Sequence, residues 1–401
     1  MLSLLCLCIQ LTGINISAAP VFSNSEWNTI KTLVLTKVKP DSTNIFSSNP
    51  NAISLGKNLF FEKKFSSTGN ISCATCHKSD LYFTDGKQVA SGIKTLTRNT
   101  PTVLNVAQQR WFFWDGRADV LWGQPIETLE NPAEMNSNRL HIAHTINNQP
   151  LLKEKWELAF GLFPNISNLP MHGKPDGTLD EIAAWNSLST NEKHIINNIS
   201  AKTAKAIAAY ISSLKTIDAP FDKFVHGNQN AISDSAKRGL KLFIGASGCI
   251  RCHFGPLLTD DAFHTTGVPP LNGGPLKDPG RFAAIDLLKN AEFSANSAHS
   301  DDSSGMRAKI TQHIVKRRED WGTFRTPSLR NVAKTPPYMH AGQLDALEDV
   351  LEHYSTLENF ISADHHRETV LEPLNLTEAE KADLIAFLKS LTSPISMDAK
   401  E

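Results

Sequence analysis

The sequence has no long apolar run beyond its first residues. No later stretch approaches the roughly 18 apolar residues that a membrane-crossing helix needs. It also has almost no net charge: 40 basic and 41 acidic side chains leave −1. That argues against the basic footprint of a nucleic-acid-binding protein and against strong steering of a partner of either sign. Period-two alternation, the mark of a half-buried strand, is rare, so the expected fold class is mainly α. Cysteine is scarce as well. There are six, two of them (Cys6 and Cys8) in the apolar start, and the other four fall inside two copies of one short motif. No cysteine remains for a structural disulfide. The 401 residues, 40% apolar and 20% charged, are enough for ordinary cores and about two domains.

The start reads Met1-Leu2-Ser3-Leu4-Leu5-Cys6-Leu7-Cys8-Ile9-Gln10-Leu11, with small residues at Ser17, Ala18 and Ala19. This is the length and texture of a signal peptide over residues 1–19, although the usual charged first region is missing. A buried N-terminal helix is the bland alternative. Removal of the leader would take Cys6 and Cys8 with it.

The two motifs are Cys73-Ala74-Thr75-Cys76-His77 and Cys249-Ile250-Arg251-Cys252-His253. Cys-x-x-Cys-His marks covalent haem attachment. The two thiols form thioethers to the porphyrin vinyl groups, and His77 or His253 then ligates the iron on the proximal side. A zinc site would need four convergent ligands in one place. It would have to pair the two distant motifs, and it leaves the recurring His unexplained. Two covalently bound haem c groups are therefore expected.

The surroundings repeat too. Leu55-Gly56-Lys57-Asn58-Leu59-Phe60-Phe61 precedes the first motif and Arg238-Gly239-Leu240-Lys241-Leu242-Phe243 the second. Each reads as an amphipathic helix that delivers the chain to a haem loop. This predicts two cytochrome c-like haem domains related by internal duplication. The expected division is an irregular segment over 20–50, an N-terminal haem domain over 51–218 and a C-terminal one over 219–395. Apolar Ala204, Ile207, Ala208 and Ile211 predict a helix over 201–214. Asp218-Ala219-Pro220 breaks it. A closing helix begins at the capping box Thr377/Glu380 and carries the stripe Leu384, Phe387, Leu388 and Leu391. The polar stretch 294–304 reads as a surface loop.

Further blocks carry a resemblance: Phe83-Thr84-Asp85-Gly86, Arg98-Asn99-Thr100-Pro101-Thr102, Trp114-Asp115-Gly116-Arg117-Ala118, Glu130-Asn131-Pro132-Ala133-Glu134-Met135, Leu258-Thr259-Asp260-Asp261, Phe324-Arg325-Thr326-Pro327-Ser328-Leu329-Arg330-Asn331 and Pro337-Tyr338-Met339-His340. With the two motifs they make the chain, over residues 54–391, resemble the bacterial diheme cytochrome c peroxidases, and within them the MauG-like branch. The resemblance implies an oxidoreductase. Its N-terminal haem is the peroxide site and its C-terminal haem stores or passes electrons.

On the peroxide side the resemblance implies a Gln and a Glu, matched by Gln124 as hydrogen-bond donor and Glu134 as acid/base. The bland reading of Glu134 is a cap or surface pair in an acidic segment with Glu127 and Glu130. The family's Pro between them is replaced by Thr128, which alters the pocket wall. Many diheme peroxidases carry a distal His after the first motif. The matching residue is Ile93, and no His lies between His77 and His141. The first haem is therefore expected to be five-coordinate without prior reduction. At the second haem, the distal ligand implied by the MauG-like branch is Tyr354, with Met339 and His353 as rivals. A phenolate there favours ferric iron. Trp114 matches the electron relay between the haems, with plain packing as its alternative. The Trp that precedes the second motif in the MauG-like branch is Ser247 here, which weighs against that route to a protein substrate. Asn99, Thr335 and Pro337 match the protein ligands of a Ca²⁺. His264, His340, Arg117 and Arg330 are read as propionate or outer contacts.

Three functions follow in order of expectation. The first is a periplasmic peroxidase that reduces hydrogen peroxide with electrons from a small cytochrome, cupredoxin or organic donor. The second is peroxide-driven oxidation of a partner protein. The third is a diheme electron carrier without catalysis, which the Ile93, Gln124 and Glu134 positions disfavour. No membrane span after the leader and no nucleic-acid partner are expected.

Overall fold

The computed structural model describes residues 20–216, 218–362 and 371–395. The expected leader, with Cys6 and Cys8, lies outside the described residues. As the missing period-two pattern implied, the fold is mainly α. Among the described residues the named strands are Phe263–His264 and Phe324–Arg325, paired antiparallel with Phe263 opposite Arg325. Among the described residues no helix is long and apolar enough to cross a membrane.

The two expected delivery helices are present as Pro50–Phe61 and Asp234–Ile244. Each lies along a partner, the first on Thr190–Ser213 and the second on Glu378–Ser390. Both crossings are close because a glycine sits at the contact. A Cβ on Gly56 would stand closer than 3.0 Å to the Ala206 carbonyl, and one on Gly239 equally close to the Asp383 carbonyl. Mid-helix Gly→Ala normally stabilises by about 0.5–1 kcal/mol. Here the obstacle is backbone rather than a flexible side chain, so the sign reverses. Gly239→Ala is expected to destabilise the holoprotein by about 1–3 kcal/mol, measured as a lower Tm. An unchanged or raised Tm would show that the crossing is loose.

The loops repeat a second set of devices. Asn105 and Asn331 are both left-handed, with φ 61° and 62°. Each starts a 3₁₀ turn, Val106–Gln108 or Val332–Lys334. Asn105 takes the Leu214 carbonyl and Asn331 the Leu391 carbonyl, each at 3.2 Å. Both amide side chains donate to the Thr216 hydroxyl. Thr102 donates to the Tyr82 carbonyl and Ser328 to the Leu257 carbonyl, both at 2.6 Å.

The core is divided in two. The larger part holds Leu55, Phe60, Phe83, Trp122, Trp156, Ile207 and Tyr210. The smaller holds Phe221, Leu240, Phe243, Leu351, Phe387 and Leu391. Chain order and packing part company at two places. Residues 20–50, expected to be irregular, contain the helix Asn24–Thr32 with a Ser23/Glu26 capping box. Its Ile30, and Leu33 just after it, belong to the smaller core, with the second motif. Conversely Phe293, Ala295 and Ala308 come from the later half but pack into the larger core. The 294–304 stretch is therefore only partly a surface loop. Ser294 and Ala295 are buried, the Ala295 amide donates to Asp119, and Asp301 pairs with Lys205 at 2.7 Å.

The helix expected over 201–214 starts earlier, at Thr190. Its first half sets Ile196 and Ile199, both buried in the larger core, among polar residues, and the Ser189/Glu192 capping box marks its start. The closing helix begins at Thr377/Glu380 as read, with Leu384, Phe387, Leu388 and Leu391 buried.

Candidate functional site

Each motif ends in a histidine whose orientation is fixed from behind. The Nδ1 of His77 lies 3.0 Å from the Phe83 carbonyl, and the Nδ1 of His253 lies 2.9 Å from the Leu258 carbonyl. A carbonyl only accepts, so Nδ1 carries the proton in both, and Nε2 is the ring nitrogen left to ligate a metal. The turns that aim these carbonyls need left-handed residues. Tyr82, Phe83 and Leu258 have φ of 53°, 58° and 51°. Burial lowers the pKa of both imidazoles, which favours the neutral ligand form.

The four cysteines of the motifs are free and partly covered. Burial pushes the Cys73 thiol up to about 12 and the Cys76 thiol to about 11. They are not gathered into one cluster. Among the described residues the one group of three possible metal-ligating side chains is Cys252, Asp260 and His264. That is one ligand short of a structural zinc site and contains one cysteine, so a zinc centre pairing the two motifs has no support. Two separate sites, each with two thiols and one oriented His, fit covalent haem.

Beside the second motif lies a cavity of about 490 Å³, within the range of cofactor pockets. Its wall includes Cys249, Cys252, His253, Trp114, Met339 and Tyr354. Burial, then the neighbouring Cys249 and Cys252, push the Tyr354 phenol well above its ordinary pKa. Of the two rivals, Met339 shares this wall. His353 does not, and its Nε2 lies 2.8 Å from the Thr266 carbonyl. His340 stacks on Phe324 with ring centroids 3.7 Å apart, and burial lowers its pKa to about 4.

Trp114 stands between the halves. Its Nε1 donates to the Asn99 carbonyl at 2.9 Å, and its own carbonyl accepts from the Arg325 amide at 2.8 Å. Asn99, Thr335 and Pro337 share the cavity wall with it. The Asn99 Nδ2 donates to the Lys87 and Gln88 carbonyls, which leaves Oδ1 as the side chain's remaining polar atom.

On the side of the first motif three segments converge. Glu134 follows the helix Gly123–Glu130 that carries Gln124. Its Oε1 accepts from Asn131 Nδ2 at 2.8 Å and lies 3.8 Å from Arg117. Burial raises its pKa, opposed by Arg117, Thr128 and Asn131. Gln124 Nε2 donates to the Thr128 hydroxyl at 3.0 Å. The Ile93 loop lies directly on this segment: the Ile93 amide donates to the Glu134 carbonyl and the Lys94 amide to the Ala133 carbonyl, both at 2.9 Å. The Cys76 thiol in turn lies 3.9 Å from the Ser91 carbonyl. So Glu134, the Ile93 loop and the first motif form one corner of the molecule.

Sequence reasoning missed what holds this corner. Arg117 lies over the Phe113 ring and pairs with Asp115 and Glu127. Asp115 also pairs with Arg98, which reaches Asp278 of the later half. Arg281 sits between the Trp111 and Phe263 rings and donates to the Asp115 and Gly116 carbonyls. Arg98, Asp115 and Arg117 stood in recognised blocks. Asp278 and Arg281 had no signal, because nothing local says that their segment returns to the first half. Arg330, read as a propionate or outer contact, is engaged by Asp222 and by the Leu33 and Pro256 carbonyls.

Comparison with known proteins agrees with this arrangement. The family model described as di-haem cytochrome c peroxidase matches residues 50–230. The cytochrome-c peroxidase IdrP2 of Pseudomonas sp. is 32% identical over 86% of this chain and 82% of its own length. The methylamine utilization protein MauG of Methylorubrum extorquens is 33% identical over 85% of this chain and 78% of its own length. Among solved structures, the diheme peroxidase BthA from Burkholderia thailandensis superposes with a TM-score of 0.63, at 22% identity, over 88% of this chain and 89% of that one. A MauG-like protein associated with microbial copper homeostasis gives 0.62 at 25% identity, over 90% and 95%. With two oriented histidines, four motif thiols and relatives of this similarity along most of its length, the chain belongs to the bacterial di-haem cytochrome c peroxidase and MauG-like family of oxidoreductases.

Proposed function

We propose that this protein is an exported diheme peroxidase that reduces hydrogen peroxide at the Cys73–Cys76–His77 site with electrons relayed through the Cys249–Cys252–His253 site. The observation that carries it is the corner just described: a buried carboxyl, an amide donor and a loop with Ile93 in place of a histidine all stand beside the first motif. The overall change is peroxide plus two electrons and two protons giving two waters.

Haem, when attached, supplies the redox chemistry that breaks the O–O bond. The chain's residues handle the protons and the geometry. His77 and His253 each offer a neutral Nε2 to iron, held by the carbonyl behind it. Glu134, its pKa raised by burial, takes the proton from one peroxide oxygen and returns it to the other, so that the leaving oxygen departs as water. Gln124 donates to the charge that develops between them. Trp114, held between Asn99 and Arg325, is the relay between the halves. Tyr354 would join His253 in holding the second haem's iron; its place in the cavity wall supports it, and the bond from His353 to Thr266 weighs against that rival. Asn99, Thr335 and Pro337 would hold a calcium ion through oxygen atoms, a donor set that suits a hard cation. The donor is a small redox protein in the periplasm, reached after loss of the leader over residues 1–19.

The test is steady-state turnover with a reduced small c-type cytochrome. Peroxide-dependent oxidation of that donor, about two equivalents per peroxide, is expected. Electron exchange with the donor but no consumption of peroxide would leave an electron carrier.

A further inference from the structure

Asn131 ends the helix Gly123–Glu130 and stands before Pro132. A proline disfavours helical backbone in the residue before it, and Asn131 is extended, with φ −66° and ψ 121°. The chain then folds back on it. The Asn131 carbonyl accepts from the Glu134 amide at 3.1 Å and from the Asn136 amide at 2.9 Å. The Asn131 side chain closes the same turn by accepting from the Ala133 amide at 2.9 Å.

That last bond settles which end of the side-chain amide is which. A backbone N–H only donates, so the atom facing Ala133 is the oxygen, Oδ1. Nδ2 is then the end that meets Glu134 Oε1, at 2.8 Å. Flipped, the amide would set N–H against N–H at Ala133 and oxygen against the carboxylate. The Glu134 backbone is fixed as well, since its carbonyl accepts from the Ile93 amide at 2.9 Å. A Cβ on Gly92 of that loop would stand 2.5 Å from the same carbonyl oxygen, so the loop lies tight against it. Arg117 approaches the carboxyl at Oε1 too, at 3.8 Å. Both contacts fall on Oε1 and leave Oε2 as the oxygen to take up a proton. The other titratable groups facing the carboxyl are Glu127 on the helix and Cys73 and Cys76 of the motif. Lys94 on the Ile93 loop is exposed.

From this geometry we infer that Asn131 is a positioning residue whose side-chain amide holds Glu134 Oε1 as an acceptor and so assigns the proton handling to Oε2. It touches no reacting atom. It acts through Glu134, by fixing the carboxyl's orientation and by stabilising its base form. This rests on the role proposed above for Glu134.

The test compares Asn131→Ser and Asn131→Asp in the diheme holoprotein. A serine hydroxyl can keep the turn by accepting from the Ala133 amide, but it offers no N–H to Glu134. Aspartate keeps the shape and the Ala133 bond and turns an acceptor toward Glu134. Two quantities are read. One is the rate of reaction with hydrogen peroxide across pH. The other is the titration midpoint of the Glu134 carboxyl, followed by the infrared C=O stretch that vanishes in Glu134→Gln. Removing a bond to the charged form raises a carboxyl pKa, and a like charge beside it raises it further. Asn131→Ser should therefore move the midpoint, and the low-pH limb of the rate, up by about one pH unit, the size of one hydrogen bond to a charged group. Asn131→Asp should move both farther. If Asn131→Ser shifts neither while Glu134→Gln is slow, Asn131 only shapes the turn, the proposal is wrong and the role of Glu134 stands. Should Asn131→Ser fail to fold, an unmoved midpoint in Asn131→Asp overturns the proposal equally. If Glu134→Gln itself reacts at the native rate, the role of Glu134 fails and the inference about Asn131 falls with it.

Discussion

Glu134→Gln is expected to slow the reaction of the fully oxidised holoprotein with hydrogen peroxide by about a hundred- to ten-thousandfold, the range for loss of a positioned acid/base. Glutamine keeps the size and an acceptor for Asn131, so the turn after the Gln124 helix should persist. Only the proton carrier is lost. The pH profile gives a second check. Burial raises the Glu134 pKa, and the base form starts the reaction. The native rate should therefore fall as pH drops through a midpoint above the ordinary carboxylate range, and Glu134→Gln should lack that limb. The competing role is a structural one, since Glu134 accepts from Asn131 and lies near Arg117. A purely structural Glu134 would give a variant with a lower Tm and a near-native rate.

The second large effect concerns stability. Asp222→Ala is expected to destabilise the holoprotein by about 3–5 kcal/mol, because it leaves a buried guanidinium without its counter-ion. Arg330 and Asp222 pair at 2.7 Å with side chains 2% and 7% exposed. Arg330 also donates to the Leu33 and Pro256 carbonyls, and Asp222 accepts from the Leu35 amide. One ion pair thus joins the N-terminal arm, the helix Pro220–Val225, the loop after the second motif and the Thr326-Pro327 block. Chemical denaturation of the single variant and of Asp222→Leu/Arg330→Met decides the matter. The double variant should recover much of the loss, since it removes both charges instead of stranding one. A single variant within 1 kcal/mol of native would mean that water reaches the pair.

The parts of this molecule that could be read from the chain are those set by local rules. Cys-x-x-Cys-His fixes a site because attachment chemistry demands adjacent ligands, and both motifs end in a histidine held by a carbonyl a few residues on. The closing helix was legible from Thr377/Glu380 and its apolar stripe. The helix Thr190–Ser213 was read only in part: its first half buries Ile196 and Ile199 among polar residues, and the Ser189/Glu192 box announces its start. The helix Asn24–Thr32 was missed although it has the same kind of box. Ile30 and Leu33, with the half-buried Trp27, pack against a partner found far along the chain. The return of the later segment to the first core was not legible at all. It depends on Asp278, Arg281, Phe293 and Asp301 meeting residues far earlier in sequence, and no local pattern records such a meeting. At the candidate site, Gln124 and Glu134 were located by resemblance. The hydrogen bond from Gln124 to Thr128 needed coordinates.

The most direct measurement is a stopped-flow absorption spectrum of the fully oxidised diheme protein mixed with one equivalent of hydrogen peroxide. A rapid Soret change with no prior reduction is the expected result, since the resemblance sets Ile93 where many diheme peroxidases carry a distal histidine. No change until one haem has been reduced would contradict the account and point to a distal ligand at the first haem that must first be released.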